Sequence, residues 1–101
     1  MIKHIVMFKI LDNAIGRTKE ENIADACERL SHFKAEIPTL AAFQYGTNCP
    51  EAPQDNYDLV LVCDFEDINA LNEYKVHPTH KAYGKYIHSV METRVCIDYE
   101  Y

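Results

Sequence analysis

The residues best suited to acid/base chemistry are concentrated in one stretch, 73–88, which reads EYKVHPTHKAYGKYIH. Three of the five histidines and three of the seven tyrosines of the chain fall in these sixteen positions. An imidazole titrates near neutral pH and can accept or donate a proton there, and a phenol can donate a hydrogen bond to an oxygen atom. We therefore expect a pocket over this stretch, with the rest of the chain as its scaffold.

Two side chains in the stretch are the candidate catalytic residues. His80 can act as a general base or acid, and Tyr74 can orient or polarise a carbonyl oxygen from an apolar pocket. Each also has a structural alternative: His80 as a buried histidine bonded to backbone around Pro78, and Tyr74 as a core aromatic residue. His77 directly precedes Pro78, and for it we favour a helix-capping role over catalysis.

Further candidate residues for binding a substrate lie outside the catalytic pair. His4 and Asp98 are expected to be neighbours on adjacent strands. The carboxylate can fix the tautomer of the imidazole, or the two polar groups can merely satisfy each other's hydrogen bonding in the strand pair. Arg94 can neutralise Asp98 or an anionic ligand. The predicted substrate-binding set is His4, His77, Tyr83, Arg94 and Asp98.

The same histidines are also candidate metal ligands. His77, His80 and His4 with Asp98 form a chemically sensible set for zinc or iron. However, Pro78 breaks the helix between His77 and His80. This HxxH pair therefore differs from the two histidines at i and i+4 on one helix that form a helical zinc site. No cysteine is expected to join the set, so the sequence predicts neither a bound metal nor a cofactor.

Composition narrows the classes of partner. The 101 residues carry a formal net charge of −6, and no cluster of Lys and Arg is longer than a pair, so nucleic acid is not expected as a partner. The first nine residues, MIKHIVMFK, are interrupted by charge and predict neither a signal peptide nor a membrane span. Four widely spaced cysteines without a CxxC pair favour a reduced, cytoplasmic protein.

Periodicity and capping residues predict the elements that position the candidate site. Apolar residues alternate in the strands and recur every three or four residues in the helices. Thr18 with Glu21 reads as a capping box, Asp67 as a second cap, and Pro78 as a first helical residue. The predicted order is a strand over 2–9, a turn over 12–17, one helix over 18–37, strands over 42–48 and 57–65, two short helices divided at Pro78, and a strand over 92–101.

This order is that of an α+β, ferredoxin-like β-α-β-β-α-β fold over residues 1–101. In that topology the last strand lies antiparallel beside the first, which places His4 opposite Asp98. The helices can cover only one face of the sheet, so the other would be an exposed apolar patch, and such patches usually mark an interface. We expect a homodimer formed through this open face. Its predicted residues are Ile5, Met7, Val60, Val62, Val95 and Ile97.

Three segments of the sequence resemble the stress-responsive dimeric α/β-barrel (Dabb) family: MIKHIVMFK, the EDxxALxEYxVHPxHK stretch over 66–81, and the closing VxIDYE over 95–100. The resemblance implies a ferredoxin-like subunit whose sheet closes a barrel with that of a second copy. One plant member is a polyketide cyclase that needs no cofactor. Its catalytic tyrosine and histidine would fall on Tyr74 and His80, and other pocket residues on His4, His77 and Asp98.

Two classes of function follow as expectations. The first is cofactor-free acid/base chemistry on a carbonyl or polyketide-like substrate, with His80 moving the proton and Tyr74 holding the oxygen. The second is a non-catalytic stress-responsive or ligand-binding dimer. A monooxygenase-like activity is a third possibility for such barrels, although no residue of the sequence points to oxygen chemistry.

Overall fold

A four-stranded antiparallel sheet, backed by helices on one face, forms the framework of the chain. The computed structural model describes all residues, Met1–Tyr101. In chain order the elements are β1 (Ile2–Ile10), β2 (Asn13–Ala14), β3 (Arg17–Thr18), α1 (Lys19–Leu30), α2 (Phe33–Glu36), β4 (Ala42–Thr47), β5 (Leu59–Phe65), α3 (Ile68–Val76), α4 (Pro78–Val90) and β6 (Met91–Glu100). The strand order β4-β5-β1-β6 confirms the predicted ferredoxin-like topology.

The register of the sheet follows from the alternation in its central strands. Along β1 and β5 every second residue is buried, and β5 reads LVLVCDF with its leucines, cysteine and phenylalanine inward. A slip of one residue would turn all of these side chains to the opposite face, so the buried face fixes the pairing. His4 lies opposite Cys63 on one side and Asp98 on the other. The register expected for His4 and Asp98 is thus confirmed.

The helices begin where the capping residues predict. Thr18 and Glu21 form both hydrogen bonds of a capping box at the start of α1, and the Asp67 carboxylate accepts a hydrogen bond from the Ala70 amide at the start of α3. His77 has extended dihedral angles, φ −64° and ψ 138°, as the residue before a proline prefers, and Pro78 begins α4. The chain therefore changes direction between α3 and α4.

The prediction of one continuous helix up to Pro38 is wrong. The first helix ends at Leu30, and a separate short turn, α2, carries Phe33. The Ser31 hydroxyl donates a hydrogen bond of 2.6 Å to the Glu28 carbonyl, and such local bonding by serine competes with helix continuation. The break lets Phe33 turn fully inward, where it is completely buried.

The sheet face away from the helices, here called the open sheet face, carries apolar side chains that the chain itself leaves uncovered. Met7 is 37% exposed, Val95 42% and Ile97 58%. In a single chain the sheet has two free edges, at β4 and β6, so it does not close into a barrel. No helix has the length and apolar composition needed to cross a lipid bilayer.

Candidate functional site

A cavity of about 580 Å³ lies between the inner face of the sheet and helices α3 and α4. The cavity lies here because the helices do not extend over β6, the edge strand. Every residue of β6 after Met91 is therefore exposed. The cavity is therefore bounded by core residues of β1 and β5 on one side and by β6 on the other. Six of the seven candidate residues from the sequence line it: His4, Tyr74, His80, Tyr83, Arg94 and Asp98.

The turn between α3 and α4 brings the two candidate catalytic side chains together. Tyr74 lies in the last turn of α3 and is 1% exposed, and His80 lies in the first turn of α4. Their ring centroids are 4.4 Å apart, with a 55° angle between the planes. Phe33 packs against both rings from the side, at 6.2 Å from Tyr74 and 6.4 Å from His80. Aromatic contacts on two sides therefore hold the pair in position.

The tautomer of His80 is set by a single backbone contact. Its Nδ1 lies 3.2 Å from the carbonyl oxygen of Lys75, which can only accept a hydrogen bond. Nδ1 therefore carries the proton, and in the neutral ring Nε2 keeps its lone pair. Burial lowers the pKa of His80, the Lys75 carbonyl partly opposes this, and electrostatic interactions with His4 and Arg94 lower it further. The ring is thus a neutral base near neutral pH.

Two tyrosines that line the cavity have hydroxyls with little or no protein partner. The Tyr74 hydroxyl has only a weak contact of 3.9 Å with the Cys63 thiol. The Tyr83 hydroxyl is buried and has no hydrogen-bond partner at all, although buried hydroxyls nearly always have one. Burial raises the pKa of both groups, so both remain protonated donors. Both side chains line the cavity, and the Tyr83 oxygen has almost no accessible surface in the structure.

His4 and Asp98 form a hydrogen-bonded pair across β1 and β6. The imidazole Nδ1 contacts a carboxylate oxygen of Asp98, and the His4 side chain is buried beneath Tyr74, with ring centroids 6.0 Å apart. Because β6 alternates, Arg94, Cys96 and Asp98 share the cavity face of that strand. The Cys96 thiol lies 3.5 Å from His4 Nδ1, so a cysteine does join this cluster, contrary to the expectation from sequence.

The structure places His77 outside the cavity. Its Nδ1 accepts a hydrogen bond of 3.1 Å from the Thr79 amide and caps α4. This is the capping role that the sequence favoured for His77 over catalysis. The side chain is therefore occupied at the helix terminus while His80, three residues later, lies on the face that reaches the cavity.

Sequence reasoning missed three polar residues of the cavity, Lys75, His88 and Cys96. The signal for Cys96 was the alternation of β6, which puts it on the face of Arg94 and Asp98. His88 follows Gly84 and Lys81 at helical spacing but reads as a surface residue, and it is indeed exposed. With Arg94 and Lys75, the cavity has two permanent positive charges against one carboxylate, in a chain whose net charge is −6.

Comparison with known proteins gives relatives over nearly the full length. Residues 2–101 match the family described as Stress responsive A/B Barrel Domain. An uncharacterised protein of Streptomyces coelicolor is 31% identical over 101 residues, covering 100% of both chains. Olivetolic acid cyclase of Cannabis sativa is 22% identical over 99 residues, covering 97% of this chain and 94% of the cyclase.

A solved structure shares the fold. A dimeric protein of unknown function with a ferredoxin-like fold from Bacteroides fragilis NCTC 9343 has a TM-score of 0.82 and 29% identity, covering 99% of this chain and 95% of that chain. The strand order, the family match over residues 2–101 and the full-length bacterial relative agree with one another. This chain belongs to the stress-responsive A/B barrel (Dabb) family.

Proposed function

We propose that this protein binds an anionic, enolisable carbonyl compound in the cavity and catalyses proton transfer at the carbon next to its carbonyl group, using only its own side chains. The arrangement that supports this most directly is the His80–Tyr74 pair, in which Lys75 fixes the imidazole with Nε2 unprotonated. Removal of such a proton requires a base and a hydrogen-bond donor to the carbonyl oxygen within one cavity.

The proposed reaction is an enolisation followed by an intramolecular aldol addition. His80 Nε2 takes a proton from the carbon beside the carbonyl, the electron pair moves onto the carbonyl oxygen, and the Tyr74 hydroxyl donates a hydrogen bond to that oxygen. The resulting enolate can attack a second carbonyl of the same molecule, which closes a ring, and the imidazolium returns its proton to the new alkoxide. Relationship to olivetolic acid cyclase supports a polyketide-like substrate for this chemistry.

Charge around the cavity supports an anionic substrate. Lys75 and Arg94 contribute positive charge at the cavity, and Asp98 is engaged by His4. Such a cavity in an otherwise acidic protein attracts a carboxylate more strongly than a neutral ketone. A rotation of the Tyr83 side chain, which lines the cavity, would bring its unpartnered hydroxyl to a polar atom of the ligand as a further donor.

The test uses hydrogen–deuterium exchange. Purified protein is incubated in deuterated buffer with 2-oxobutanoate, levulinate or a 3,5-dioxo thioester, and loss of the signal from the carbon-bound protons is followed by NMR. We expect faster exchange with wild type and a loss on the order of 10²-fold or more in His80→Gln. His32→Gln is the matched control, because His32 is exposed and pairs with Glu28 away from the cavity.

Tyr83→Phe separates binding from catalysis. Removing a buried hydroxyl without a partner leaves the free energy of unfolding unchanged or slightly higher, while affinity for the same carbonyl compounds falls. Exchange that is equally fast in wild type and His80→Gln would contradict the catalytic proposal. Ligand-induced NMR shifts at Tyr74 and His80 without any exchange would instead favour the alternative, a non-catalytic ligand-binding dimer.

We further propose that two copies pack open sheet face against open sheet face and so close an α/β barrel. The apolar side chains on that face, led by Ile97, Val95 and Met7, are the support for this arrangement. The Bacteroides fragilis relative is dimeric. We also assign the protein to the cytoplasm, where thiols stay reduced, since all of its cysteines are free.

A further inference from the structure

Three different metal-ligating side chains meet on the cavity side of β1 and β6. The antiparallel register places Asp98 opposite His4 and Cys96 opposite Val6, so the two β6 residues flank the imidazole from one strand. The ligand atoms of His4, Cys96 and Asp98 all lie within 4.8 Å of one another. Cys96 Sγ is 3.5 Å from His4 Nδ1 and 3.8 Å from Asp98 Oδ1.

These distances suit a tetrahedral ion with mixed ligands. Zinc bonds of about 2.3 Å to sulfur and about 2.0 Å to nitrogen or oxygen imply separations of about 3.3 to 3.6 Å between neighbouring ligand atoms. The sulfur already lies close to that distance from both partners. His4 and Asp98 are joined by a hydrogen bond, and an ion that displaces its proton would move the two ligand atoms apart to this separation.

The donor types select among cations. Imidazole, thiolate and carboxylate together suit zinc and similar borderline-soft divalent ions, whereas magnesium and calcium prefer oxygen ligands alone. A thiolate and a carboxylate also balance the charge of a divalent ion when the imidazole is neutral. The neighbouring Arg94 would then face a neutral site instead of an added positive charge.

The three side chains can be reached by an ion from solvent. Cys96 is exposed, and all three residues line the cavity, so an ion can enter from solvent without unfolding the strand pair. Three protein ligands leave the fourth tetrahedral position to water or to an oxygen of a molecule in the cavity. We propose that His4, Cys96 and Asp98 bind one zinc ion per chain, with the open coordination position facing the cavity. The acid/base step assigned to His80 and Tyr74 does not use this ion.

The test replaces zinc with cobalt(II), whose thiolate complexes absorb in the near ultraviolet. We expect a charge-transfer band that saturates at one equivalent per chain and disappears when zinc is added. Cys96→Ser should abolish the band, and Asp98→Asn should weaken binding at least about 10-fold, since each removes one ligand. Cys49→Ser should leave it unchanged: Cys49 is the other exposed cysteine and lies 3.0 Å from a Glu51 oxygen, so it is the competing thiol.

A second measurement needs no variant. Wild-type protein is alkylated with iodoacetamide with and without zinc, and the labelled cysteines are identified by mass spectrometry. Zinc should protect Cys96 and leave Cys49 reactive. The proposal is overturned if the cobalt band is absent from wild type, if it survives Cys96→Ser in protein with a native circular dichroism spectrum, or if zinc protects Cys49 and leaves Cys96 reactive.

Discussion

At the scale of single residues, the structure explains why His80 is better suited to accept a proton than a surface histidine. Its Nδ1 is committed to the Lys75 carbonyl, so only Nε2 is free to react. Burial lowers its pKa, and no carboxylate pairs with it to reverse that effect. The ring is thus kept neutral by its surroundings, while the Asp98 carboxylate serves His4 instead.

The pKa of His80 leads to a prediction on stability. Because this pKa is lower in the folded than in the unfolded chain, the unfolded chain binds more protons as the pH falls. The stability linked to neutral His80 is therefore complete above the ordinary histidine value, about 6.5, and is lost as the pH falls through the lower folded value. We expect wild type to lose more unfolding free energy than His80→Gln between about pH 7.5 and about pH 5.

Urea unfolding at several pH values measures this difference, and an NMR titration of the His80 ring gives its pKa directly. His32→Gln is the control, because His32 lies on the surface beside Glu28, and it should follow the wild-type pH profile. Identical pH profiles for wild type and His80→Gln would show that the His80 ring is not desolvated in the folded protein.

At the scale of elements, the Asn22 side chain links α1 to the β2–β3 hairpin and to α4 by hydrogen bonds. Its side chain is fully buried in α1, where its Nδ2 donates a 3.2 Å hydrogen bond to the Ala14 carbonyl of the β2–β3 hairpin. The Tyr86 hydroxyl of α4 donates to Asn22 Oδ1 at 3.0 Å. One amide thus satisfies groups from the hairpin and from the helix that carries His80.

Asn22→Ala should destabilise the protein by about 1 to 3 kcal/mol, because the fully buried Asn22 side chain loses its hydrogen bonds to the Ala14 carbonyl and the Tyr86 hydroxyl. Chemical denaturation gives the value. Asn72→Ala is the matched control, since Asn72 is an exposed helical asparagine, and such surface changes stay within about 0.5 kcal/mol. Equal stability of the two variants would mean that the Asn22 contacts contribute no net free energy.

The elements also show where the sequence was sufficient and where it was not. Alternation and caps located every strand of the sheet and the starts of α1, α3 and α4, because these depend on local patterns. Ile23 and Cys27 have the apolar spacing of an inward stripe in α1, yet they are only partly buried, and Asn22 and Ala26 lie innermost. A buried asparagine looks like a surface residue until its partners, distant along the chain, are known. Ile68 likewise reads as apolar and inward but is 51% exposed.

In the candidate site, too, some contacts follow from the sequence and others depend on how distant side chains pack. The pairing of His4 with Asp98 follows from topology, and the proximity of Tyr74 and His80 follows from the proline between their helices. The contact of Cys96 with His4 depended on side-chain positions across two strands, which the sequence does not encode locally. The sequence also could not predict that the Tyr83 hydroxyl lacks a hydrogen-bond partner, because this depends on which side chains pack around it in the folded chain.

At the scale of the whole molecule, we predict that the open sheet face controls oligomeric state. Ile97→Glu places a charge on a side chain that is 58% exposed in one chain and buried in the proposed dimer. We expect this variant to be monomeric in sedimentation experiments while wild type is dimeric, because an unpaired charge in an apolar interface is costly. Circular dichroism should show the fold intact.

Ile68→Glu is the control for that change. Ile68 is similarly exposed, at 51%, but it lies at the start of α3 and away from the open sheet face. This variant should remain dimeric. A wild-type mass of one chain, or a dimer that survives Ile97→Glu, would show that the apolar face has some other use.

The alternation of β6 has a consequence for how this protein can change over evolutionary time. Arg94, Cys96 and Asp98 face the cavity, while Val95 and Ile97 between them face outward. Substitutions at the first set would change the cavity lining without touching the proposed subunit contact, and substitutions at the second set would change that contact without touching the cavity. Descendants of this protein could therefore change the ligand while they keep the proposed dimer. A single residue inserted into β6 would instead turn each set of side chains to the opposite face of the sheet and damage both surfaces.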